Sequence, residues 1–222
     1  MTTRDQSPTR QTVCFAVVAL GVYIVMMAPW PGVEKGYAAV FRVIGNAVGS
    51  PLATMWGGKA EVIALDEADS DNDTLARIGN LSNRMARKAT LSSRYMGYTS
   101  VALTVALVVG TPLPWRRRMY ALLWGVLLIH VFIALRLLAK FMYLGNLEPV
   151  HLFQWSPWSW AVIRVAHHLL VTVSEAKFVG PVFVWLIVAV RRDVWPLAGF
   201  ATRWEASHRS QPVASGATGR IR

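Results

Sequence analysis

Arg164, His168, Thr172 and Glu175 recur at spacings of four, four and three, so a helix through them would carry a guanidinium, an imidazole, a hydroxyl and a carboxylate in one stripe. His167 adjoins the stripe, and Arg136 stands upstream within Ile133-Ala134-Leu135-Arg136-Leu137-Leu138. Ionisable groups inside apolar sequence are expensive to place and therefore call for a reason. A hydrogen bond from Arg136 to Glu175 or to the His168 ring would relieve most of that cost. A serine hydroxyl can attack a carbonyl when an imidazole takes its proton. Ser93, Arg136 and His168 are thus the catalytic candidates, and Arg136, Arg164, His167, His168 and Glu175 the binding candidates. Each has a plainer alternative. Arg136 can snorkel to lipid headgroups, the histidines can sit at the interface, and Glu175 can pair with Arg136 or Arg164 to lock a bundle.

Other chemistries are disfavoured by residue type and spacing. Cys14 is the single cysteine, which removes an intramolecular disulfide and a cysteine metal cluster, and it reads as a small buried hydrophobe. Asp69, Asp71 and Asp73 alternate as in a calcium loop, but Thr74 and Asn80 stand where the turn glycine and the bidentate glutamate belong. That stretch reads as a solvated loop. His130 and His168 would differ in depth by roughly 10–15 Å at the helical rise, a poor fit to one haem iron, and His151 falls in a loop. No metal and no cofactor are expected. The formal charge of +11 lies largely in segments that a membrane topology explains, without the interleaved aromatics that stack bases, so nucleic acid is not expected as a partner.

The elements that must position these groups are apolar runs. Val13–Pro29, Gly97–Leu113, Met119–Ala139 and Leu169–Val190 are separated or bounded by Arg4 and Arg10, by Arg116-Arg117-Arg118 and by Arg191-Arg192. Cytoplasmic loops collect Lys and Arg. The pattern predicts an all-α membrane protein with four transmembrane helices and a helical and short-strand extracytoplasmic segment. Residues 1–30 form the first helix, retained rather than cleaved, 31–96 the outer segment, 97–190 a three-helix core and 191–222 a cytoplasmic tail. Residues 1–11, 114–118 and 191–222 then face the cytoplasm, with 31–96 and 141–163 outside. The last helix must include Glu175, since the uninterrupted run from Phe178 is too short to span. Within the outer segment, Tyr37, Val40, Phe41, Ile44 and Val48 predict an amphipathic helix ended by Gly49-Ser50-Pro51. Lys59–Leu65 predicts a short strand, and Thr74–Leu91 a weak helix. Aromatic residues in 140–163 predict an interfacial segment, with Trp155-Ser156-Pro157-Trp158 starting the last helix.

Ser92-Ser93-Arg94-Tyr95-Met96-Gly97-Tyr98, an apolar run, Thr111-Pro112-Leu113-Pro114-Trp115-Arg116-Arg117-Arg118, a second run reaching Arg136, and the later His167-His168 resemble the core of the exosortase/archaeosortase family, over about Ser92–Val190. The resemblance implies a polytopic transpeptidase-like core that handles C-terminal sorting signals outside the membrane, with Arg136 and His168 (or His167) at the family's basic positions. Ser92, Ser93 and Tyr95 occupy the window of that family's nucleophilic cysteine, which closes the thioester route. The resulting expectation is a noncatalytic exosortase-like protein in a bacterial-type inner membrane, multi-pass with both termini cytoplasmic, binding a peptide tail or partner at the outer face. The alternative is an accessory structural subunit of a larger membrane complex, and a Ser-dependent membrane peptidase ranks below both. Membrane lipids and a protein partner or membrane complex are the expected contacts.

Overall fold

The structure, a computed structural model, describes residues 8–69, 72–173 and 175–189. Helix α1 (Pro8–Met27) is apolar on every side, with Arg10 near its start. Helix α2 (Pro31–Met55) opens with a proline in its first turn, where the missing N–H has no helical partner to lose. Ala38, Phe41, Gly45, Gly49 and Ala53 form its buried stripe. The helix does not stop at Gly49-Ser50-Pro51 as its sequence predicts. Pro51 lies inside it, because Ala53 beyond the proline is buried in the core and holds the last turn in place. Gly57, at φ +72°, makes the turn that ends it.

Strands β1 (Gly58–Asp69), β2 (Asn72–Asn80) and β3 (Met85–Leu91) form an antiparallel sheet in the order β1-β2-β3. Its inner face carries Ala60, Val62, Thr74, Ala76, Ile78 and Leu91 against α2 and the end of α4. The weak helix predicted over Thr74–Leu91 is therefore replaced by two strands, and part of the acidic stretch forms strand ends rather than a loop.

Helix α3 (Thr99–Gly110) follows a π-helical turn, Arg94–Tyr98. Helix α4 (Trp115–Asn146) has 32 residues, roughly 48 Å at the helical rise against about 30 Å of hydrocarbon, so its final turns can stand clear of a bilayer. There Phe141, Leu144, Val150 and Phe153 join the core under the sheet rather than an interfacial belt. Gly145 permits this approach, since a Cβ there would lie 2.5 Å from Phe153 and 2.9 Å from Ile78. Helix α5 (Pro157–His167) is capped by Ser156, whose Oγ accepts the Ser159 N–H at 3.2 Å. A second π-helical turn, His168–Thr172, precedes α6 (Ala176–Ala189).

Two corrections to the expected architecture follow. The chain is not all-α, because the sheet is a full three-stranded layer. Nor does it show four transmembrane helices. Among the described residues, α1 and α4 are long and apolar enough to cross a membrane, and α5 with α6 makes a third candidate only if that pair, bent by 90°, counts as one span. The single continuous helix expected through Glu175 is broken there. Helices α3 and α6 pack between the longer ones: α3 lies against α1, α4 and α6. The Ser100 hydroxyl of α3 donates to the Lys177 carbonyl of α6 at 3.1 Å, and Trp185 Nε1 donates to Thr111 Oγ1 at 2.8 Å. Cys14 is exposed on α1, not buried, as that helix contacts little besides α3.

Candidate functional site

Arg136 falls on the inward stripe of α4 that includes Gly125, Ile129 and Ile133, and its side chain is only 4% exposed. It does not snorkel. Its Nε donates to the Leu170 carbonyl at 2.7 Å, and Nη1 donates to the Met96 carbonyl at 2.9 Å. Those carbonyls belong to the two π-helical turns. In each turn a hydrogen bond closes over five residues instead of four: Thr99 N–H bonds the Arg94 carbonyl, and Val173 N–H bonds the His168 carbonyl at 2.9 Å. The wider ring displaces the ordinary ladder and turns carbonyls outward. One guanidinium thus ties together two helix bulges that lie 74 residues apart in sequence, from Met96 to Leu170. The Phe132 ring lies 5.9 Å from the cation. Sequence reasoning expected Arg136 to meet Glu175 or the His168 ring. Its partners are instead main-chain oxygens, which no side-chain pattern reveals.

Tyr37 of α2 belongs to the same junction. Gly97 in the first π-helical turn admits its ring, as a Cβ there would lie 2.5 Å from the hydroxyl. The ring packs edge-on against Tyr98 and near His130, with centroids at 5.4 and 6.2 Å. Burial raises the Tyr37 pKa above the usual phenol value, and the charge of Arg136 pulls the other way. The Tyr37 hydroxyl has no hydrogen-bond partner among the described residues. His130 is held by its own helix, with Nδ1 2.7 Å from the Val126 carbonyl. Arg94 pairs with Glu34 at 3.3 Å and also donates to the Met27 carbonyl at 3.3 Å, while Tyr98 bonds the Met26 carbonyl. The first π-helical turn is therefore fastened to the end of α1 and the start of α2.

Ser93 lies just before that turn and is 3% exposed. Its N–H donates to Asp73 Oδ1 at 2.8 Å, and its hydroxyl donates to Asp73 Oδ2. Thr74 Oγ1 adds a third bond to Asp73 Oδ1 at 3.1 Å. This carboxylate fastens β2 to the entry of the helical core. Asp73 was noticed in the sequence only as part of a failed calcium pattern, and nothing local connects it to Ser93.

The remaining candidates scatter. Arg164 and His168 are exposed, as are Thr172 and Glu175, so these four line no buried site, and the second π-helical turn interrupts the helix expected to carry them. Arg164 lies 5.9 Å over Trp160. His167 turns the other way and stacks on Tyr143, with centroids at 4.0 Å, while Trp160 stacks near the same tyrosine at 5.6 Å. The structure thus brings Arg136 against both π-helical turns and leaves His168 and Arg164 outside. No group of three or more His, Cys, Asp or Glu side chains that could hold a metal occurs among the described residues. Comparison with family models, curated proteins and solved structures finds no match to this chain.

Proposed function

We propose that this chain is a noncatalytic, exosortase-like protein of a bacterial-type cytoplasmic membrane that binds a peptide tail or partner protein at the outer face. The observation that carries the reading is that none of its would-be catalytic groups hydrogen-bonds another among the described residues. Ser93 is buried against the Asp73 carboxylate, Arg136 is tied to main-chain carbonyls, and His168 is exposed. A nucleophile needs access to substrate and a base within hydrogen-bond reach, and a serine closed in at 3% exposure has little access.

Orientation follows from charge. Both long apolar helices begin basic, at Arg10 in α1 and Arg116-Arg117-Arg118 in α4, and the sheet packs at the opposite end of α4. The preference of Lys and Arg for the cytoplasmic side favours an inner location for the basic starts of α1 and α4 and an outer one for the sheet. In a Cys14→Ser background, a membrane-impermeant maleimide applied to intact cells should label Thr90→Cys and spare Arg116→Cys. The reverse pattern would invert the assignment.

An accessory structural subunit is the second reading. It is favoured by a cleft of about 500 Å³ between α4 and α6, lined by Arg117, Tyr120, Trp124, Leu128 and Ile187, which has room for side chains of a neighbouring membrane helix. Photocrosslinking residues at positions 90 and 120 separate the two. Adducts at 90 with one defined partner support the outer-face reading, and adducts confined to 120 favour the subunit. A serine-directed fluorophosphonate should leave the protein unlabelled, and Ser93-dependent labelling would restore the peptidase.

A further inference from the structure

The sheet has two edge strands, and the chain finishes them differently. Along β1, the side-chain amide of Asn46 stands where a neighbouring strand's peptide group would stand: Nδ2 donates to the Val62 carbonyl at 3.0 Å, and Oδ1 accepts the Val62 N–H at 2.7 Å. Along β3, no further strand pairs among the described residues, and no backbone–backbone hydrogen bond reaches Met85–Leu91 from outside the sheet. This edge is seven residues long, contains no proline, and is exposed at Met85, Ala86, Lys88 and Thr90. An open edge of that length is a template for another extended chain.

Charge selects among the chains that could use it. Arg84, Arg87 and Lys88 mark the strand and its turn, and none of them forms an ion pair among the described residues. Arg87 donates to the Glu148 carbonyl at 2.7 Å, which leaves its charge uncompensated. On the outer face Lys88 is in register with Arg77, and Glu61, in register with Arg77 on β1, already serves both Arg77 and Lys59. A second copy docked antiparallel about the middle of this edge would set Lys88 against its own counterpart, and like charges facing across a strand pair are destabilising.

We infer that β3 is the docking edge for an extended acidic segment of a partner protein, which adds to the sheet as a fourth strand. Main-chain hydrogen bonds supply the attachment and the basic flank supplies the selection. The inference rests on the outer-face binding reading and specifies its ligand.

The test uses the full chain in nanodiscs with Cys14→Ser and Thr90→Cys. Three seven-residue peptides, each with an added terminal cysteine, are compared by rate of disulfide trapping: alternating glutamate and valine, alternating lysine and valine, and the acidic peptide with proline replacing valine. The acidic peptide should trap about tenfold faster than the lysine peptide, as expected for steering by opposite charge. The proline peptide, which lacks the required N–H groups, should fall to the lysine level, and adding Arg84→Glu with Lys88→Glu should reverse the preference. Equal trapping of acidic and lysine peptides would overturn the inference and leave the basic flank as protection against edge aggregation. Equal trapping of the proline peptide would also overturn it, reducing the effect to charge alone. If position 90 still captures one defined partner in cells while the peptides show no preference, strand addition fails and the outer-face reading stands. Peptide preference without any such partner sinks the function and leaves the edge chemistry intact.

Discussion

The seam between α2 and β1 and the junction around Arg136 meet the same requirement by different means. In both, one side chain reaches across to main-chain groups of a neighbouring element. At the seam a neutral amide satisfies one N–H and one carbonyl of Val62, since an amide carries both a donor and an acceptor. At the junction both bridged groups are carbonyls, from Met96 and Leu170, so a pure donor is required and a guanidinium supplies it. The comparison teaches that the chemistry of the bridging side chain is dictated by which backbone groups are exposed, and the setting decides how much each bridge matters.

The comparison can be broken by mutation. Arg136→Ala should have the largest effect, about 3–5 kcal/mol, because it removes the hydrogen bonds of a buried cation to two elements at once. Thermal unfolding in detergent reads this as a large drop in midpoint, with Arg136→Lys intermediate because a single ammonium does not reproduce the fork. Asn46→Ala should cost about 1–3 kcal/mol, since it orphans the Val62 pair at a partly covered edge. Hydrogen exchange should then quicken at Val62 before it does at Ile78. Ser93→Ala should cost about 1 kcal/mol, because Asp73 keeps its bonds from the Ser93 N–H and Thr74. The same unfolding assay ranks it below Asn46→Ala. Arg117→Ala, exposed near the start of α4, should stay within about 0.5 kcal/mol. Were Arg136→Ala no worse than Arg117→Ala, the two π-helical turns would be held by packing and the guanidinium would be incidental.

Residue pattern made some of this legible and hid the rest for identifiable reasons. The stripe Tyr37, Phe41, Ile44 and Val48 announces α2 because its buried face is apolar at helical period. Val62 and Ile63 announce β1. Strand β2 escapes because its inward residues are Thr74, Ala76 and Ile78, of which only one is large and apolar. Meanwhile Leu75, Ile78, Leu81 and Met85 happen to fall at helical spacing. The break before α6 escapes because the distortion is propped from outside: a side chain of α4 holds the Leu170 carbonyl, and no local residue encodes that. Of the site candidates, Arg136 was recognisable as a cation inside apolar sequence. Ser93 was noticed for its chemistry, and its actual partner, Asp73, lies 20 residues away on a strand that the pattern concealed.

Pro181 lies inside α6 and cannot donate to the carbonyl of Lys177, four residues earlier. That carbonyl receives the Ser100 hydroxyl of α3 instead. A proline in one helix and a serine in another therefore act as a latch. A shift of α6 by one residue along α3 would carry the vacant carbonyl away from the serine and present an oxygen already taken by its own helix. Where apolar faces alone would let two short helices slide past each other, this latch fixes one sliding position.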